Sequence, residues 1–206
     1  MAIDILSDTE NMAKSHSNTN AAREKLVLIG FRLDPDSEGP EFYTALIHGG
    51  EKARPLQINE RVVFFDDYRS FTNVQTFRHS NVPIHLRKNR YFPQKTDLVC
   101  DFAEALYLIE SEDKDESATI INCINTLSDL LPATGLKLPA DCKTILAKFA
   151  DHLTFHREYG EFLRRENLAR SAIRDAVFWC LGCIAAKAKF LIASADQRKQ
   201  RGLGKK

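Results

Sequence analysis

"KLVLIGFRL", residues 25–33, is the stretch on which the fold turns. It is rich in branched residues and is closed by "DPDSEGP", a loop by composition, so it reads as a β-strand. Both of its alternating sets are apolar: Val27, Ile29 and Phe31 on one side, Leu26 and Leu28 on the other. Successive side chains of a strand point to opposite faces of the sheet. A sheet with one wet face would alternate more cleanly, so this strand predicts a sheet covered on both faces.

The segments "EFYTALIHGG" (41–50) and "ERVVFF" (60–65) read as two further strands. The period then changes. Tyr68, Phe71, Val74 and Phe77 recur every third residue, and Asp66 or Asp67 is placed to cap the helix they imply. That helix is expected to pack back on the sheet. The segment "NVPIHLRKNRYFPQ" (81–94) is broken by Pro83 and Pro93 and reads as a linker with room for one short edge strand.

From Thr96 the pattern is helical almost to the end. Thr96 or Asp97 is expected to cap a helix carrying Val99, Phe102, Leu106 and Ile109. A second helix carries Ile120, Ile121, Ile124, Leu127 and Leu131 and stops at Pro132. Asp141 is expected to cap a third, through Ile145, Phe149 and Leu153, that Gly160 bends or breaks in two. The last helix, about 167–195, is apolar nearly all round its middle third, which places it at the centre of a bundle.

The expected class is therefore α+β. A small N-terminal antiparallel sheet of about three strands, with one packed helix, precedes a C-terminal bundle of about four helices. The expected organisation is a polar tail (1–24), a β-rich region (25–95), a helical bundle packed on it (96–196) and a basic tail (197–206).

At 206 residues the chain is long enough to bury a sizeable core. Its net charge of +1 exerts no overall pull on nucleic acid or membrane. The charge is unevenly spread: residues 1–24 carry a net −2 and residues 187–206 a net +6. The longest apolar run, "AVFWCLGCIAA" (176–186), is half of what spans a bilayer, which takes about twenty residues. The opening "MAIDILSDTE" does not read as a secretory signal. Five cysteines, an odd number, argue against a disulfide framework, so a reducing, cytoplasmic location is expected.

Three clusters carry potential chemistry. "FWCLGC" (178–183) spells Trp-Cys-x-x-Cys, but a redox-active cysteine of that motif sits at a helix N-terminus after a strand. Cys180 follows several helical turns, so packing is its expected role. His152 and His156, at i,i+4, share a helix face, and Cys180 and Cys183, at i,i+3, share another. Two His and two Cys on neighbouring helices would close a tetrahedral zinc site. Arg198, Lys199 and Arg201 in the tail offer phosphate contacts without aromatic stacking. The acidic run "ESEDKDE" (110–116) has no glycine for a calcium loop. No G-x-S-x-G, G-x-x-x-x-G-K or G-x-G-x-x-G occurs.

The leading expectation is a non-enzymatic module that binds an unidentified protein partner, assembles as a homo-oligomer (a dimer), and needs no cofactor. Tyr91 and Phe92 are the expected contact residues, since aromatics favour interface cores. A zinc protein built on His152, His156, Cys180 and Cys183 is the first alternative. A nucleic-acid binder using Arg198, Lys199 and Arg201 is the second. Membrane association is not expected.

Overall fold

A computed structural model of the chain describes residues 24–49, 52–72, 78–88, 93, 95–111, 117–156 and 159–192. Among the described residues its architecture is α+β, with a mixed seven-stranded sheet and six α-helices. The strands are β1 (Lys25–Arg32), β2 (Phe42–His48), β3 (Arg54–Pro55), β4 (Gln57–Ile58), β5 (Arg61–Phe65), β6 (Leu98–Asp101) and β7 (Ala188–Leu191). The helices are α1 (Ile84–Lys88), α2 (Phe102–Ser111), α3 (Ser117–Leu130), α4 (Ala140–Phe155), α5 (Tyr159–Glu166) and α6 (Arg170–Lys187).

The three strands legible in the sequence form the antiparallel middle of the sheet. β1 and β2 pair from Lys25 with His48 to Phe31 with Phe42. β5 meets β2 at Phe65 and Tyr43, while β3 and β4 lie along β2 and β5 respectively. Asn59 and Glu60 join β4 to β5, both at positive φ (52° and 62°), as a two-residue hairpin turn of the primed type requires. Parallel strands flank this middle: β6 beside β1 and β7 beside β5.

The expected three-stranded sheet with a four-helix bundle is thus overturned, and two segments account for most of the error. Residues 98–101 were expected to open a helix; they are a strand. Asp97 does not cap. Its carboxylate accepts the Leu28 N–H at 2.8 Å, and its own N–H donates to the Leu28 carbonyl at 2.9 Å. The cap of α2 is Asp101, whose Oδ1 accepts the Glu104 N–H at 2.9 Å and whose Oδ2 holds Arg32 at 2.5 Å. Residues 188–191, expected to be the end of the last helix, are also a strand. Pro139 occupies the N-cap of α4, with Asp141 inside its first turn. α4 and α5 are separate, the break falling at an extended His156. The helix expected near 68–77 appears as a 3-10 turn at Tyr68–Thr72, and residues 73–77 lie outside the described residues.

Both faces of the sheet are covered, by unequal layers. Ile29, Phe31, Val62 and Phe64 join the helices in one large core with Phe102, Phe149 and Phe162. Leu26, Leu28, Val63 and Phe65 face the other way, under Phe71, Val82 and Leu86 from the connection after β5. Arg87 holds that connection in shape by donating to the carbonyls of Val82 (2.7 Å) and Ser80 (2.9 Å).

Candidate functional site: the outward face of α6 and the groove beside β7

α6 was expected at the centre of a bundle, and the structure corrects this. Ile173, Ala176, Val177, Cys180 and Ile184 are buried. Asp175, Phe178, Trp179, Gly182, Ala185 and Ala186 are exposed. Their spacing of three and four residues places them on one helical face. From Phe178 to Ala186 that face carries no charge. Phe178 is 52% and Trp179 56% exposed, a large apolar display for a surface helix.

Beside this face lies an apolar groove of about 360 Å³. Phe31, Phe42 and Phe64 of the sheet, Phe190 of β7, and Phe178 and Leu181 of α6 wall it. The aromatic rings run from surface to core in contact. Phe190 meets Phe42 at 5.3 Å and Phe64 at 5.6 Å; Phe31 meets Phe64 at 5.3 Å and Phe102 at 5.5 Å. Such a floor is rigid, because each ring is fixed by the next. Gly182 opens onto the groove, and a Cβ there would meet no atom within 4 Å. Its helix-propensity cost, about 1 kcal/mol against Ala, is therefore not demanded by packing within the chain. Asp175, with its side chain 60% exposed, closes the stripe at its N-terminal end.

The four residues proposed for zinc are not brought together. His152 is buried near the C-terminal end of α4, stacked on His156 at 4.8 Å and packed on Phe162 of α5 at 5.5 Å. Cys180 and Cys183 instead lie near Cys142, in the first turn of α4. Ten residues of helix, about 15 Å, separate Cys142 from His152. Among the described residues no group of three or more His, Cys, Asp or Glu side chains is placed to hold a metal. Burial pushes the Cys180 thiol up to about 12, so it is not a thiolate at neutral pH. A second thiol pair joins β6 to α3. Cys100, with its sulfur 3.1 Å from Thr126 Oγ1, also accepts a hydrogen bond from Cys123; that bond lowers its pKa, while the same bond and burial raise that of Cys123. Both are core residues.

Tyr91, Phe92, Arg198, Lys199 and Arg201 lie outside the described residues. The candidate residues that sequence reasoning missed are Phe178, Trp179 and Phe190. A signal was present: Phe178 and Trp179 stand opposite the helical stripe of Ile173, Val177, Cys180 and Ile184. One stripe suffices to bury a helix on a core. Among the described residues no helix is long and apolar enough to cross a membrane. No protein-family model, curated protein or solved structure matches this chain.

Proposed function

We propose that this protein is a binding module for another protein, and that the outward face of α6 with the groove beside β7 is its contact surface. The observation that carries the reading is the pair Phe178 and Trp179, more than half exposed beside a groove floored by interlocked aromatic rings. Aromatic residues of this kind anchor interfaces, because a rigid ring buries much area at small entropic cost. Burying each is worth about 1.5–3 kcal/mol by area removed from water. Proximity labelling in cells tests it. A photo-crosslinking side chain at Phe178 should give discrete protein adducts, and the same group at Glu161, exposed on α5, should not. Equal labelling at both positions, or none at Phe178, removes the reading.

A further inference from the structure

β7 is an edge strand, and its outer side is open. The segment that holds β3 and β4 fits between β2 and β5, and β5 gives its remaining side to β7, from Val62 with Ala188 to Phe65 with Leu191. Among the described residues no strand pairs with the far side of β7. The backbone groups on that side are a template for one more extended chain. The side chains of β7 alternate. Ala188 and Phe190 turn to the helix layer, where Phe190 stacks on Phe64 at 5.6 Å and walls the apolar groove. Lys189 follows its neighbour Val63 to the opposite face, and there it is half-buried with no acidic partner among the described residues. Phe190 is 48% exposed, and Ile192, just past the strand, 70%.

On the reading that this face binds protein, we propose that its occupant is an extended acidic segment of the partner protein, which adds to the open edge of β7 as a further strand. An added strand repeats the alternation of the strand it joins. One set of its side chains lies on the groove side, against Phe178, Phe190 and Ile192, and is apolar. The other set stands beside Lys189 and is acidic. The recognised pattern is therefore apolar and acidic residues in alternation, over about four to six residues, the reach of a strand as short as β7. Two features of the edge select this occupant. Unpaired main-chain groups are satisfied by an extended backbone, which neither a helix nor a lipid surface supplies. Lys189, within a stretch (residues 187–206) of net charge +6, is complemented by acids. A second copy offers another basic edge, and lysine on an edge strand opposes pairing with its own kind.

Fluorescence anisotropy of a labelled peptide of about eight residues alternating Val and Glu, titrated with the full chain, is the test. The expected result is saturable binding, about tenfold or more tighter than for the same residues arranged in two blocks or for Val alternating with Lys. Hydrogen exchange at the amides of residues 188–192 should slow in the complex, as strand addition requires. Lys189→Glu should weaken the Val–Glu peptide about tenfold or more and tighten the Val–Lys peptide. Ile192→Asp, at a position 70% exposed and so outside the core, should weaken the Val–Glu peptide with the urea-unfolding midpoint unchanged. No binding of the alternating peptide, equal binding of the block peptide, or unchanged exchange across β7 overturns the proposal. So does protection of the same amides in the chain alone at high concentration, which would give the edge to a second copy. Protection by phosphatidylserine vesicles with no response to the peptide overturns it as well. If the peptide fails while the crosslinker at Phe178 captures a protein, the added strand falls and the binding reading stands. If neither binds, both fall.

Discussion

α5 and α6 are consecutive helices on the same core, and they treat water differently. α5 buries Tyr159, Phe162 and Leu163 and turns Glu161, Arg164 and Arg165 outward. Glu166 at its end takes Lys148 at 2.7 Å and Arg165 at 3.2 Å. α6 buries an equally apolar inward stripe and turns Phe178, Trp179, Gly182, Ala185 and Ala186 outward. Folding of the single chain accounts for the buried stripe of α5 and leaves charged side chains outward. It explains half of α6. The unexplained half is where selection for something other than folding is to be sought, since a lone exposed apolar residue is ordinary but a continuous helical stripe is not.

The largest effects should come from the inward faces, where the two helices are alike. Phe162→Ala should cost about 3–5 kcal/mol and Ile184→Ala about 2–5 kcal/mol, read from urea-unfolding midpoints, because both leave cavities in a close-packed core. Costs below 1 kcal/mol would mean the core there is loosely packed and would erase the similarity on which the comparison rests. On the outward face of α6, Gly182→Ala should stabilise the monomer by about 0.5–1 kcal/mol, since the new methyl meets nothing within 4 Å. A loss instead would show that the glycine is needed inside the chain. Trp179→Ala, measured at high dilution, should change stability by no more than about 0.5 kcal/mol. A larger cost would show that the ring serves the fold and not an interface.

The smallest effect concerns pH and belongs to α5. Hydrogen bonds from Lys148 and Arg165 hold the Glu166 carboxyl below its ordinary 4.5. Its folded pKa lies below its unfolded one, so the stability it gives is present above pH 4.5 and is lost as pH falls through the lower, folded value. Glu166→Gln should flatten the acid limb of the stability curve slightly, read from urea-unfolding midpoints at a series of pH values. An unchanged acid limb would remove the electrostatic half of the contrast.

Much of the fold could be read from local pattern. β1 carried its two apolar sets openly, and the structure divides them as the alternation implied, Ile29 and Phe31 toward the helices, Leu26 and Leu28 toward the other layer. α3 stops where Pro132 said it would, in a 3-10 turn closed by Gly135 at φ 63°. β6 was hidden because Val99 fits the helical spacing of Phe102 and Leu106, and only pairing with β1, far back in the chain, makes it a strand. The hairpin turn at Asn59 and Glu60 was hidden because neither residue is the glycine that usually marks positive φ. The candidate site was the least legible part. An apolar helix face reads the same whether it meets a core or water.

The sequence by itself determined the three central strands, the double covering of the sheet and the approximate places of the helices after Thr96. These depend on alternation, periodicity and chain-breaking residues, which act over a few positions and leave their mark there. Only the tertiary structure decided that residues 98–101 and 188–191 join the sheet in parallel, and that α6 lies at the surface with Phe178 and Trp179 outward. Parallel pairing and helix orientation join Leu98 to Ile29 and Ala188 to Val62. They are settled by which distant surfaces close the core best, a quantity no local window contains.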